Sequence, residues 1–599
     1  MLPLLPQKDP SRAQRTKALV RAQALYRYNR TYIPGFPLAE DVPEQDAPTR
    51  AWLEQVGELL VTLLVNSARV DRDEARSFRG HPAYALARTE IFSRPREALK
   101  TVLDEILQRA ANPAQPGLAT HIGQFALLFQ EIALPWTVSY LINDDANFAH
   151  ALLTGPNPLI LRRVTAEEGL PERLPVEGFY SAIIGEGSSL RSDIDAGLLY
   201  LADYGTLEGV PCGQSFGFQK YLSAPLALLR VCVNERGWHE LRPVAIQLGQ
   251  KPGKDVPIFI PSDHWAWVLA KTHVRVANGN MHEAVAHLAH THLVMEPVAL
   301  AMFRQLAPSH PVHILLRPHF EGLLEINQQA WKHLLAPGGG VDTVMSGQIE
   351  ASVQLASKAA QSWRFNEAML PRNLARRGVA DSTLLPSYWY RDDALLLWSA
   401  IRDWVGSYLA LYYRDSADVQ ADWELQAWIA EMLSPEGGRM QDLGEDGAFK
   451  TLDYLTDAVS HILFTTSVQH AAVNFPQYEL MAYVPKLPLA AFSPPPTDKN
   501  VGHHHFLRTL PPVKVAYAQL QIGYLLASVR TNRLGHYAPT GLLQEAFSRY
   551  FEDPRVQEPL QAFQNTLAQI EKSIDERNAT CVYPYGYLKP SLIPQSTNI

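Results

Sequence analysis

Cysteine is scarce: three in 599 residues, at Cys212, Cys232 and Cys581. So few thiols exclude a disulfide framework, a Cys-rich zinc site and an iron–sulfur cluster. Long uncharged apolar runs are missing as well. The best candidate, DDALLLWSAIRDWVGSYLALYY, is broken by Arg402 and Asp403 and reads as a buried helix rather than a membrane span. Prolines and early charges in MLPLLPQKDPSRAQR break the pattern of a secretory leader. Positive charge is not in excess either. With 53 Lys and Arg against 61 Asp and Glu the formal net charge is -8, which disfavours a nucleic-acid partner. The chain has no glycine loop of the GxGxxG or GxxxxGK[ST] type, and PGGGVD at 337–342 reads as a helix stop. Internal repeats and low-complexity tracts are absent, and no segment calls for an obligate protein partner. These absences leave a cytoplasmic globular enzyme as the expectation.

Length alone suggests about four domains, yet the second half contains no shift in composition that would mark a linker. Residues 1–115 read as helical, with periodic segments near 13–28, 50–66 and 93–109. Before Glu40 a single acid, Asp9, faces the bases Lys8, Arg12, Arg15, Lys17, Arg21, Arg27 and Arg30. Ala18, Leu19, Ala22, Leu25 and Tyr26 can share one face there. Such a helix either packs on the domain or lies on an anionic membrane surface, giving peripheral membrane association. Between 155 and 260, short apolar runs (PNPLILRRV, PLALLRVCVNE, LRPVAIQL, VPIFIP) read as small strands that line something rather than form a large sheet. From 263 onward the pattern predicts long helices at 263–278, 281–305, 322–336, 348–360, 392–412, 422–432, 449–473, 513–531 and 556–576. The fold class is therefore mainly α: a helical N-terminal region, 1–115, packed on one large helical domain, 116–599, with small β elements. A separate N-terminal β-sandwich is not expected, because strand alternation is missing there.

What the chain does have is histidine, 20 in all. Residues 281–319, MHEAVAHLAHTHLVMEPVALAMFRQLAPSHPVHILLRPH, hold His282, His287, His290, His292, His310, His313 and His319 in an apolar helical setting. Imidazoles buried there must be neutral, hydrogen-bonded or metal-bound. His282, His287 and His292 are spaced by five. On a regular α-helix that spacing turns side chains about 140° apart, too far to grip one metal. A π turn brings them nearly full circle, and such turns gather at functional sites. The same spacing rules out the zinc-peptidase motif HExxH, since His282-Glu283-Ala284-Val285-Ala286-His287 is one residue too long. A second segment, HAAVNFPQY at 470–478, sets His470 and Asn474 on one helical face. An imidazole with an amide oxygen suits a hard or borderline metal and not a structural zinc site. His461 reads as non-ligating.

The pattern His282-x4-His287-x4-His292-x17-His310-x8-His319, with THLVMEP, FRQL, SHP and LLRPH around it, resembles the signature of the lipoxygenases. HAAVNFPQY resembles their second signature segment, and the final Ile599 matches their terminus. Weaker similarity extends from DDANFAHALLTGPNPLILRRV at 144 through YGYLKPSLIPQSTNI. The resemblance implies a lipoxygenase-type catalytic domain, without the N-terminal β-sandwich of many eukaryotic relatives. It also implies one non-haem iron held by His287, His292, His470 and the carboxylate of Ile599, with Asn474 as a near or weak ligand. Manganese is the less favoured metal. His282, His310 and His319 match positions that orient ligands without binding the metal. Gln477 and Glu283 match a pair that neighbours each other across the site and couples substrate binding to iron geometry through hydrogen bonds.

The implied reaction is dioxygenation of polyunsaturated fatty acids of the linoleic, linolenic or arachidonic type. An iron(III)–hydroxide takes an electron and a proton from the doubly allylic carbon of a 1,4-pentadiene, and O2 adds to the resulting radical. Ala330, Leu334, Val341 and Leu487 are the further channel candidates. Ala330 falls where alanine accompanies S products and glycine R products in the family, so S hydroperoxides are expected. Leu487 replaces the arginine of plant-type enzymes, which leaves the carboxylate end of the substrate to Lys486, to another base, or to tail-first entry. The same ligand set would serve a hydroperoxide-rearranging, epoxyalcohol-forming enzyme. A non-enzymatic fatty-acid-binding protein is the reading from a different class.

Overall fold

Between Trp265 and Gln305 apolar side chains fall on every side of the helical wheel, which requires burial all round. In the computed structural model, which describes residues 2–70, 118–140, 142–168, 170–185, 187–537 and 550–599, this stretch is the spine of the molecule. It is one continuous helical run: α-helix over Trp265–Met281, π-helix over His282–Leu293, then α-helix over Val294–Gln305. The Val294 N–H bonds the Ala289 carbonyl, five residues back, so the turn is wide where the five-residue histidine spacing asks for it. Pro297 lies inside the last segment, where it has no N–H to give the preceding turn.

The other long helices stand close to their expected places: Ile349–Ser362, Trp389–Leu409, Trp423–Leu433, Leu452–Phe464, Val513–Ser528 and Gln557–Asn578. Three more π turns follow among the described residues, at Ala330–Leu334 after Leu323–Gln329, at Thr465–Gln469 before His470–Asn474, and at Gln477–Met481. The domain is thus predominantly α-helical. The segment expected as helix near 93–109 lies outside the described residues.

The runs of 155–260, read as small strands, pair into a small open sheet. Leu161–Arg163, Leu199–Asp203, Leu226–Val233, His239–Gln247 and Ile258–Phe259 form one five-stranded antiparallel sheet in that order. Leu199 and Leu201 face one apolar cluster while Tyr200 and Ala202 face the main core, so both faces are covered. A strand covered on both faces reads as an unbroken apolar run without alternation. The register shifts between Leu228 and Leu229, opposite Pro243, which has no N–H to give the ladder.

Among the described N-terminal residues the only strands are the two-residue partners Tyr28–Asn29 and Leu38–Ala39; no closed β-sandwich is present there. The helix Arg12–Leu25 packs by Leu19, while Leu25 turns outward. Arg15, counted among the surface bases, is 4% exposed and pairs with Glu424 at 2.5 Å and Asp9 at 3.0 Å. Leu5, Tyr26, Ile33 and Leu38 join the main core, and the helix Arg50–Val70 buries Trp52, Leu60 and Leu64 in the cluster that contains Ile599. No helix of the described residues is long and apolar enough to cross a membrane.

The C-terminal segment runs through this core. Gln595, Ser596, Thr597 and Asn598 are each at most 2% exposed, and Ile599 is 4% exposed. His319 Nδ1 donates to the Gln595 carbonyl at 2.7 Å, Trp52 Nε1 to that of Asn598 at 2.7 Å, and Thr597 Oγ1 to that of Thr466 at 3.1 Å. Gly322 takes φ +78°, and a Cβ there would stand 3.0 Å from that of Asn598, so this crossing needs glycine.

Candidate metal centre

Two wide turns meet at one point. The π-helix His282–Leu293 presents His287 and His292 inward, and the π turn Thr465–Gln469 delivers His470 to face them. His287 Nε2 lies 3.2 Å from His292 Nε2 and 3.4 Å from His470 Nε2. The rings are 6%, 7% and 0% exposed. Metal–nitrogen bonds of about 2.1 Å at right angles place neighbouring nitrogens about 3.0 Å apart. The observed spacing matches that of three ligands around one ion.

The electrostatics agree. Burial, together with the His287 ring, depresses the pKa of His292 to about 3. Burial and the other two rings push His470 far down, and burial and His282 lower His287. All three are neutral at physiological pH, so each offers a lone pair. Three lone pairs directed at one another across a buried gap repel unless a cation lies between them, so the donor set fits a first-row metal.

Further contacts orient the rings. His292 Nδ1 donates to Asn327 Oδ1 at 2.8 Å, which fixes the tautomer with its Nε2 lone pair inward. Asn327 Nδ2 donates to Glu296 Oε2 at 2.6 Å, and the other Glu296 oxygen accepts from Ala39 N–H at 2.6 Å. His282 stacks on His287 at 5.5 Å between centroids, and its Nε2 bonds the Val473 carbonyl at 2.8 Å. The main-chain oxygen of Ile599 lies against His470.

Sequence reasoning missed Asn327, Glu296 and Trp52. Glu296 lies in the quoted THLVMEP and Asn327 in EINQQ, but no spacing rule ties Leu323–Gln329 to the histidine helix. His310 bonds Asp422 at 3.0 Å and caps Pro311–Leu316, while His319 secures the C-terminal segment. His461 stacks on Trp363, outside the triad.

Asn474 stands one helical turn after His470, but both ends of its amide are engaged. Oδ1 accepts from Gln477 Nε2 at 2.8 Å, and Nδ2 donates to the Leu526 carbonyl at 2.7 Å. Glu283 faces His282 Nδ1 at 3.5 Å and His287 Nδ1 at 3.8 Å. Burial opposes its charge, but these rings outweigh burial and hold its pKa at about 2. Gln477 thus bonds Asn474 while Glu283 faces the histidine rings.

An apolar cavity of about 80 Å³ opens beside the triad. Glu283, His287, His292 and Ile599 stand at one part of its wall, with Ala330, Leu334, Val341, Ile522 and Leu526 around the rest. Gln477 and Leu487 are not among its lining residues; Leu487 packs toward Gly279. Lys486 Nζ donates to the Tyr140 carbonyl, and burial lowers its pKa to about 8.

A lipoxygenase family profile matches residues 230–583. The linoleate 9/13-lipoxygenase of Pseudomonas aeruginosa is 35% identical over all of this chain and 93% of that protein. The mouse hydroperoxide isomerase ALOXE3 is 36% identical over 76% of this chain, which spans 62% of that protein's length. The crystal structure of coral 8R-lipoxygenase superposes with a TM-score of 0.84 at 28% identity, covering 100% of this chain and 83% of that one.

Proposed function

Because the chain belongs to the lipoxygenase family of non-haem iron dioxygenases, we propose that it converts polyunsaturated fatty acids bearing a 1,4-pentadiene into S hydroperoxides at a single bound iron. The observation that carries this reading is the convergence of three neutral imidazoles, two of which, His287 and His292, line an apolar cavity. His287, His292, His470 and the carboxylate of Ile599 would hold the ion, with Asn474 as a weak or near ligand. When bound, iron supplies the one-electron oxidant that a doubly allylic C–H bond requires and that no amino-acid side chain provides.

The chain's own residues do the rest. Asn327 and Glu296 keep the His292 lone pair inward, and His282 braces the His287 ring. Leu334, Val341, Ile522 and Leu526 exclude water from the pentadiene. The cavity of about 80 Å³ is well below the range of about 300–1,000 Å³ for occupied ligand sites, so substrate entry requires these side chains to change rotamer. Ala330, on the same wall, offers one methyl group to shield one end of the pentadiene from O2. Of the N-terminal region 1–115, the described residues 2–70 pack on the catalytic domain through Tyr26 and Trp52.

Iron-loaded protein given linoleate should consume O2 and form conjugated diene in equal amounts, with an S product on chiral chromatography. Absence of both would refute the assignment. The similarity to a hydroperoxide isomerase supports one second reading, in which fatty-acid hydroperoxide rather than the parent acid is consumed and epoxyalcohol forms without O2 uptake. The role of Ile599 has its own test. Extension by a C-terminal tag turns its carboxylate into an amide, and metal content and activity should fall together; full metal occupancy in the extended chain would rule the ligand out.

A further inference from the structure

A second cavity, of about 330 Å³, shares no lining residue with the one beside the triad. Its size falls at the small-molecule end of ligand pockets. It lies among the C-terminal end of Ile349–Ser362, the short helices Phe365–Ala368 and Leu370–Arg376, and the helix that leads into His470. Trp363, Phe464 and Leu370 give it apolar walls, while Arg364 and Arg376 stand in its lining.

Two polar side chains in the lining are buried yet incompletely bonded. His461 is 2% exposed and Gln469 is 8% exposed, and the Nε2 atom of each has no hydrogen-bond partner. Both are locked from the other end. Tyr390 Oη donates to Gln469 Oε1, which leaves the amide N–H group as the free end. Thr465 Oγ1 lies 3.5 Å from His461 Nδ1, and Trp363 stacks on the ring at 5.5 Å and 14°. Taking that hydroxyl as the donor to Nδ1 leaves the proton on Nε2. Burial and the nearby Arg372 charge keep this imidazole neutral, so it serves as a plain N–H donor. Leaving a buried donor unanswered is costly, so two in one cavity ask for an acceptor.

The surrounding charge selects which acceptor. Glu367 pairs with Arg364 at 2.8 Å and with Arg376 at 3.8 Å, and Asp442 pairs with Arg364 at 3.4 Å. With Arg372, three guanidinium groups stand against two carboxylates, a positive balance facing an unfilled donor pair. We propose that this cavity binds a small organic carboxylate, its oxygens taking N–H bonds from Gln469 and His461 and its apolar body lying between Trp363, Phe464 and Leu370. Gln469 ends the π turn Thr465–Gln469 and His470 follows it directly, so an occupant sits one residue from the metal triad. That consequence rests on the metal reading above; the binding itself does not.

The test is saturation-transfer NMR with benzoate, and with uncharged benzamide, on the full chain in its wild-type, Arg376→Glu and His461→Phe forms. Thermal unfolding verifies that the variants fold. Saturable benzoate binding is expected, at least tenfold weaker in both variants and at least tenfold weaker for benzamide. Arg376 has a side chain 59% exposed, so its variant keeps the proposal open to refutation if His461→Phe does not fold. Crystals soaked in 4-bromobenzoate should show bromine between Trp363 and Phe464. Equal affinity in all three proteins, no saturable binding, or bromine only in the cavity lined by Ala330 would each overturn the proposal.

Discussion

Replacing Asn327 by leucine, which keeps the branching and the number of heavy atoms, removes the acceptor of the His292 N–H from the metal centre and with it the bond to Glu296. In the native protein the His292 N–H donates to Asn327 Oδ1 at 2.8 Å, and Asn327 in turn donates to Glu296 at 2.6 Å. All three side chains are at most 7% exposed, so no water stands ready to replace the lost acceptor. A buried donor left unpaired costs about 1–3 kcal/mol. The cost falls on the conformer that binds metal, because an imidazole without its outer partner can change tautomer or turn. Metal affinity should therefore drop roughly tenfold to a hundredfold, as is usual when the partner of a ligating histidine is removed. Competition for Fe(II) against a chelator of known affinity, under anaerobic conditions, measures this directly. Circular dichroism should show an unchanged helical content. Unchanged affinity in Asn327→Leu would refute the claim that this residue sets the His292 lone pair.

Three other outcomes follow from buried groups elsewhere. Arg15→Leu leaves the Glu424 carboxyl fully buried without its guanidinium partner, so stability should fall by about 3–5 kcal/mol, read as a shift in the urea midpoint; a change below about 1 kcal/mol would mean the pair behaves as an exposed one. Burial, against the opposing bonds from Ala39 N–H and Asn327, raises the Glu296 pKa from 4.5 to about 7. The folded protein holds this proton where the unfolded chain has released it, so its contribution is complete below pH 4.5 and lost as pH rises to about 7. Over that window the wild type should lose on the order of 3 kcal/mol relative to Glu296→Gln, and parallel stability curves would contradict this. Ala330→Gly should shift the product from S toward an R hydroperoxide at another carbon of the same pentadiene. A methyl-sized change is worth about 1–3 kcal/mol of discrimination, and an unaltered chiral profile would show that Ala330 does not govern O2 access.

The histidine spacing was legible because it is a local, periodic property. Steps of five between His282, His287 and His292 make sense on one face only if the helix widens, and it does over His282–Leu293. The helices were legible for the same reason. What depends on distant segments meeting was not. No rule applied to THLVMEP pairs Glu296 with Asn327, or either with Ala39 N–H, which arrives from residues hundreds of positions earlier in the chain. The strand Leu199–Asp203 was overlooked because both its faces are buried, so that GLLYLADYG lacks the alternation that marks a half-exposed strand. Arg15 looked like a surface charge because its partner, Glu424, is contributed by a helix far along the sequence.

The central claim is that three histidines and the chain terminus hold one catalytic iron. Elemental analysis of purified protein, with O2 uptake on linoleate measured on the same sample, tests it most directly. The account predicts one iron per chain in the active wild type, and loss of iron and O2 uptake together in His292→Ala. Turnover of linoleate by protein free of stoichiometric iron, or full iron retention in His292→Ala, would contradict it.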